Sequence, residues 1–121
     1  DDGYLFIVDR LKDMIVSGGV NIYPAEVESA IYGHPDVAEV AVIGVPDSTR
    51  GQVVKSFIVT DRPASDEFVD ELKSFTRERL SQHEFPRHIE FVSELPKTPA
   101  GKIHRKVLRD REAAAAAASA N

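Results

Sequence analysis

The chain has 121 residues, enough for one domain with a modest core and too few for two. Its 15 Lys and Arg against 20 Asp and Glu give a net charge of −5, the wrong sign for a nonspecific nucleic-acid binder, which must neutralise phosphates. With no cysteine it has no disulfide framework, thiolate zinc site or cysteine nucleophile, a usage that fits the cytoplasm, and no apolar run reaches the roughly 20 residues of a transmembrane span.

Asp1-Asp2-Gly3 reads as a turn and Tyr4-Leu5-Phe6-Ile7-Val8 as a strand. A chain that opens on a strand, without methionine or slack, reads as a piece of a longer protein. Asp9-Arg10-Leu11-Lys12-Asp13 is a charged joint. Met14-Ile15-Val16 is a second short strand, stopped by Ser17-Gly18-Gly19, so residues 4–16 are expected to form a two-stranded ribbon. Val20-Asn21-Ile22-Tyr23 leads into Pro24, which suits the first turn of a helix over 24–33. Val27, Ala30 and Ile31 supply its apolar face, and Gly33 and Pro35 stop it.

Val37–Val45 is nearly continuous apolar sequence, as in a strand buried on both faces. Pro46-Asp47-Ser48 is turn chemistry, and residues 51–60 form the second strand of an antiparallel hairpin. Ser65 or Asp66 caps a helix over 66–81, whose stripe is Phe68, Val69, Leu72, Phe75, Thr76 and Leu80. Residues 88–92 make a third strand. Residues 93–100, with two prolines, read as an extended loop, and a last helix covers 103–112. The alanine-rich tail over 113–121 either extends that helix or frays, and reads as a linker. The expected fold is therefore α+β: a small two-stranded ribbon plus a three-stranded sheet, flanked by three helices, in one domain over 1–112.

Pro96-Lys97-Thr98-Pro99-Ala100-Gly101-Lys102-Ile103 is the most pointed segment. A rigid loop delivers Lys102 beside a glycine, which lets backbone approach a ligand. Lysine is a flexible point charge that reaches a phosphate or a carboxylate. The spacing is not that of a phosphate-binding Walker loop. From residue chemistry alone, Lys102 is either such a cation or a solvated loop lysine. Likewise Arg10 and Lys12 read as a surface charge joint and Gly18-Gly19 as a plain turn. Arg77 reads as a helix-surface arginine near Glu71 and Glu78, and Lys106 and Arg109 as decoration of a solvated helix face. His34, His83, His88 and His104 lack ligand spacing, so no metal site is expected.

The run Glu94–Arg109, ELPKTPAGKIHRKVLR, resembles the C-terminal lysine motif of the adenylate-forming enzymes. Asp9–Glu28, DRLKDMIVSGGVNIYPAEVE, is similar to the hinge motif of their acyl-CoA synthetase branch. His34-Pro35-Asp36-Val37 through Gly44-Val45-Pro46-Asp47 and Gly51 is a third match. The three follow the family's order and cover residues 3 to 109.

The resemblance implies a small mobile domain that closes over a large N-terminal domain, here absent. The full enzyme would join a carboxylic acid to ATP, used with Mg2+, to give acyl-adenylate, and then transfer the acyl group to coenzyme A. Its implied partners are that N-terminal domain, the carboxylic acid, ATP and coenzyme A. By this resemblance Lys102 is the adenylation lysine and Lys12 the hinge. Arg10 contacts the adenylate ribose, Gly18 and Gly19 form the loop brought in for thioester formation, and Arg77 lies near the coenzyme A nucleotide. The fragment alone is expected to be inactive. Asn21, where the short-chain branch carries a basic residue, leans toward longer-chain or aromatic acids. His83-Glu84-Phe85 replaces a Tyr-Lys pair common in the family, so that loop lacks a positive charge for a phosphate. Two alternatives remain at this level: a stand-alone binding or regulatory module of the same fold, or a ligase that serves an acyl carrier protein.

Overall fold

The computed structural model describes residues 13–120. In order, the elements are β1 (Ile15–Ser17), β2 (Val20–Ile22), α1 (Pro24–Tyr32), β3 (Glu39–Asp47), β4 (Gly51–Val59), α2 (Asp66–Arg77), β5 (Pro86–Phe91) and α3 (Arg105–Ala120). The fold is α+β, as the pattern of periods implies. The expected strand Tyr4–Val8 and residues Arg10 and Lys12 lie outside the described residues.

The valine-rich run builds the centre. β3 and β4 pair antiparallel along their full lengths, from Glu39↔Val59 to Asp47↔Gly51. Side chains alternate across a strand, so Val40, Val42, Val54 and Ile58 face one way and Ala41, Ile43, Val53 and Phe57 the other. The first set packs against α1 and α2 through Val27, Ile31, Phe68 and Leu72. The second is covered by Leu108 of α3 and by Leu95. Both faces are therefore buried, which is why the run is continuous rather than alternating.

Three details depart from the sequence expectation. The ribbon among the described residues is β1 with β2, pairing Ile15↔Ile22 and Ser17↔Val20; Val20–Ile22 is a strand and not merely a lead into α1. Gly18 and Gly19 connect the two strands with φ of +56° and +81°. A two-residue loop with positive φ at both positions matches the twist of a hairpin, and glycine is the residue that adopts it without a Cβ clash. The ribbon also joins the main sheet at Ser17↔Gly51, giving one five-stranded sheet instead of two separate units.

The other departures concern boundaries. α2 stops at Arg77, four residues early, because the Thr76 carbonyl accepts both the Arg79 and Leu80 N–H (3.0 and 2.8 Å) and closes the last turn. Ser65 caps its start by accepting the Phe68 N–H at 3.0 Å. β5 begins at Pro86, where a strand tolerates proline, and runs parallel to β4. α3 extends through the alanine run to Ala120, as alanine's helix propensity favours. Among the described residues, no helix is long and apolar enough to cross a membrane.

Candidate functional site

The lysine segment is a built hairpin rather than an extended loop. Thr98 N–H donates to the Lys102 carbonyl (2.7 Å), Gly101 N–H donates to the Thr98 carbonyl (2.8 Å), and Lys97 bridges Ile103. Pro99-Ala100-Gly101 thus forms a three-residue hairpin loop. Proline suits its first position, and Gly101 at φ +84° takes the left-handed one. The Thr98 hydroxyl accepts the Lys102 N–H at 3.2 Å. At the base, Leu95 is buried and Ile103 packs on the same side of the sheet. Lys97 pairs with Glu39 at the start of β3 (2.6 Å). The spacing of prolines, glycine and lysine therefore has a mechanical purpose: it presents Lys102 at the exposed tip of an anchored hairpin. Among the described residues no carboxylate pairs with Lys102.

Gly18 and Gly19 occupy a different place. The Gly18 N–H donates to the Arg50 carbonyl (2.9 Å), which sets the glycine turn beside the β3–β4 turn. That turn is organised by Asp47, whose Oδ2 accepts the N–H of Arg50 (2.9 Å) and Thr49 (3.1 Å). The two candidate loops thus lie at opposite ends of β3, whose nine residues span about 26 Å. Gly18, Gly19 and Lys102 are all exposed, as expected, but they do not share one face.

The backbone N–H groups of Arg50 and then Thr49 hold the Asp47 carboxyl below its ordinary range. Arg62, then His34, do the same for Glu71. A depressed native pKa means the unfolded chain binds more protons, so this stabilisation is present above the unfolded pKa and lost as pH falls through the native one. Urea unfolding of the chain is therefore expected to show stability falling as pH drops below about 4, where unfolded carboxyls take up protons. Asp47→Asn is expected to make the fall shallower. An unchanged slope contradicts the role given to this carboxylate.

A residue at Gly18 would meet the His83 ring at 3.6 Å, so the glycine turn packs against the segment after α2. That segment borders a shallow cleft of about 390 Å³ lined by Arg77, Leu80, Ser81, Gln82, Phe85 and Arg87. The Arg77 guanidinium lies 4.8 Å from the centre of the Phe85 ring. Arg77 is exposed and does not pair with its sequence neighbours: Glu71 is held by Arg62 and His34, and Glu78 by Arg79. Arg77 and Arg87 of β5 both line this cleft, beside His83-Glu84-Phe85. Arg87 gave no signal in sequence, and Phe85 stood out only as part of the loop that departs from the family, because a strand residue and a turn residue meet an α2 residue only through the fold.

Lys106 is exposed and paired with Asp110 in α3, as a solvated face requires. Arg109 is not such a decoration. Its Nη1 donates to Asp13 Oδ1 at 2.7 Å, with the Asp13 side chain only 18% exposed.

The fold also gathers His34, Asp36 and Glu71 within metal-ligand range of one another. Arg62 donates to both carboxylates (3.2 and 2.9 Å), His34 Nε2 donates to Glu71 (2.7 Å), and His34 Nδ1 accepts the Asp36 N–H (3.1 Å). A guanidinium already fills the place of a cation, and magnesium prefers an oxygen shell. This cluster does not fit a magnesium ion and reads as an ion-pair network that joins the 33–37 turn to α2.

Residues 26–102 match the family described as the AMP-binding enzyme C-terminal domain. The chain is 47% identical over 112 residues to a long-chain-fatty-acid–CoA ligase of Bacillus subtilis, covering 93% of this chain and 20% of that protein. It is 50% identical over 112 residues to a feruloyl-CoA synthase of an Amycolatopsis species, covering 91% and 22%. Among solved structures, it superposes on the Mycobacterium tuberculosis fatty acyl CoA synthetase with a TM-score of 0.78 at 42% identity, covering 88% and 21%. It superposes on the anthranilate CoA ligase AuaEII, in complex with anthranoyl-AMP, with a TM-score of 0.80 at 41% identity, covering 87% and 21%. The chain thus spans about one fifth of the length of the relatives it matches. With its anchored lysine hairpin and this similarity along nearly the whole chain, the protein belongs to the AMP-binding enzyme C-terminal domain family.

Proposed function

We propose that the chain is the mobile C-terminal domain, residues 1–112 with an alanine-rich tail, of a cytoplasmic AMP-forming acyl-CoA ligase. The parent enzyme converts a carboxylic acid and ATP, supplied with Mg2+, to acyl-adenylate and pyrophosphate. Coenzyme A thiolate then attacks the acyl carbon, the thioester forms and AMP leaves. The observation that carries this reading is the placement of two exposed candidate loops at opposite ends of β3. Two chemical steps with different needs are served by two ends of one rigid body that turns between them.

In the first step two anions must meet. Lys102 is the fixed cation that offsets their repulsion and the charge that develops at the phosphorus. In the second step the thiol needs a narrow path, and Gly18-Gly19 offers backbone without side chains. The cleft of Arg77, Phe85 and Arg87 beside that turn suits the nucleotide end of coenzyme A: guanidinium groups for phosphates and a ring face for the base. Lys12 is the joint about which the domain turns, and Arg10 contacts the adenylate ribose. The relatives are named for fatty, ferulic and anthranilic acids at comparable identity. Acyl choice therefore belongs to the N-terminal domain. The chain alone lacks the sites that bring the reactants together, so it has no ligase activity of its own.

The test is the parent enzyme supplied with ATP, Mg2+ and a panel of fatty and aromatic acids, with either coenzyme A or an acyl carrier protein as acceptor. Carboxylate-dependent release of pyrophosphate, with acyl-CoA formed, is expected. Transfer to the carrier protein alone overturns the acceptor, and absence of any carboxylate-dependent release overturns the ligase. Replacing Arg77 and Arg87 together by alanine is expected to raise the KM for coenzyme A about 10-fold or more, the scale of one or two charge-assisted contacts. Adenylation is expected to be unchanged, and an unaltered KM removes the cleft from the coenzyme A site.

A further inference from the structure

We infer that Asp13 and Arg105 form a positioning clamp that carries the turn of the domain at residue 12 directly to the lysine hairpin; the inference rests on the ligase reading above. The Arg105 guanidinium forks onto Glu28, with Nε to Oε2 at 3.0 Å and Nη2 to Oε1 at 2.5 Å. Its Nη1 donates to Asp13 Oδ2 at 3.2 Å. One turn along α3, Arg109 holds the other oxygen of Asp13 at 2.7 Å. Glu28 in turn accepts the Val42 N–H of β3 at 2.8 Å, on the edge of β3 that no strand among the described residues covers. One guanidinium thus ties together the segment that leads into β1, helix α1, the middle of β3 and the start of α3.

Its position in sequence makes this more than a surface ion pair. Arg105 lies three residues after Lys102, and Asp13 immediately follows the joint residue Lys12. Without Arg105, a rotation entering at residue 13 reaches Lys102 through the ribbon, the sheet and the packing of Leu95 and Ile103, or by way of Arg109, a full turn further along α3. With it, the path is two side chains long. The partners are mostly shielded: Glu28, Asp13 and Arg105 side chains are 12%, 18% and 19% exposed. Burial works against the charge of Arg105, but its bonds to Glu28 and the nearby Asp13 outweigh it and raise its pKa. Charge-assisted, two-pronged contacts of this kind fix geometry as well as energy. A displacement of about 1 Å at a reacting group costs up to about 100-fold in rate, so a clamp on Lys102 has a large lever. Arg105 touches no reacting atom in this account; it acts through Lys102.

The experiment is a double-mutant cycle in the parent enzyme, with adenylation read by pyrophosphate exchange and thioester formation read from supplied acyl-adenylate. Arg105→Ala is expected to slow adenylation about 10-fold, at the lower part of the positioning range. In the Lys102→Ala background the same substitution is expected to change it by less than about 2-fold, because the group being positioned is gone. Thioester formation is expected to change less than about 2-fold in either background. Asp13→Asn, which keeps the shape and leaves the Arg105–Glu28 fork in place, is read the same way and serves if Arg105→Ala fails to fold. Slowing of equal size with and without Lys102 shows a general structural role and overturns the clamp, as does no slowing. Failure of the ligase reading is separate: there the unmodified parent shows no exchange, or Lys102→Ala leaves it intact.

Discussion

Lys102→Ala is expected to slow adenylation by the parent enzyme about 10²–10³-fold, the scale for losing one preorganised charge contact, or about 2.7–4 kcal/mol of barrier. The size follows from the way the lysine is held. Its backbone is fixed by the Thr98 bonds and the Gly101 turn, so the side chain starts from one defined place. The side chain is exposed and, among the described residues, no carboxylate neutralises it, so its charge is available to a partner surface. Because the hairpin is anchored by Leu95, Ile103 and the Lys97–Glu39 pair, removing the tip leaves the fold intact. The unfolding curve of the variant should match that of the unmodified chain, and pyrophosphate exchange should carry the whole effect. A loss below about 5-fold contradicts the catalytic role.

The largest expected effect on stability is at Phe68. Its side chain is fully buried between α2 and the sheet, stacked on Phe91 with ring centres 5.2 Å apart and capped by the Arg62 guanidinium at 4.1 Å. Phe68→Ala removes a whole ring from a close-packed site and leaves a cavity, at a cost of about 3–5 kcal/mol. Domains of this size are stable by only about 5–15 kcal/mol, so a large share of the total is at stake. Urea unfolding of the 121-residue chain, followed by far-ultraviolet circular dichroism, checks this. A change below about 1 kcal/mol contradicts the place given to Phe68 at the centre of the core.

Most elements were legible because their signals are local. The stripe at Phe68, Leu72 and Thr76 marks α2, and the valine run marks β3 wherever the rest of the chain goes. The lysine segment was legible as a special loop, but not as a hairpin, because two prolines suggest extension until the Thr98–Lys102 bond is seen. Strand direction was not legible: a strand has the same period whichever way its neighbour runs, so β5 gave no sign of being parallel to β4. Pairings between distant residues were invisible for the same reason. Arg109 resembles any solvated helix arginine until its partner, 96 residues earlier, is known. Arg105 and Asp13 are separated by 92 residues, and nothing in either neighbourhood points to the other. What was legible in sequence is therefore the pair of exposed candidate loops, while the contacts that hold them are properties of the fold.

The central claim is that two ends of one small domain serve two steps, and measuring both half-reactions in the same variants tests it most directly. Lys102→Ala is compared with Gly19→Leu, which puts a bulky side chain at a turn position whose φ of +81° strains any side chain although nothing crowds the Cβ, so an unfolding curve checks that this variant is folded. Lys12→Pro, which stiffens the joint by fixing φ, is the third variant. Pyrophosphate exchange reports the first step, and conversion of supplied acyl-adenylate to acyl-CoA reports the second. The account predicts a crossed pattern: Lys102→Ala loses the first and keeps the second, whereas Gly19→Leu and Lys12→Pro keep the first and lose the second. Equal loss of both half-reactions in all three variants contradicts it.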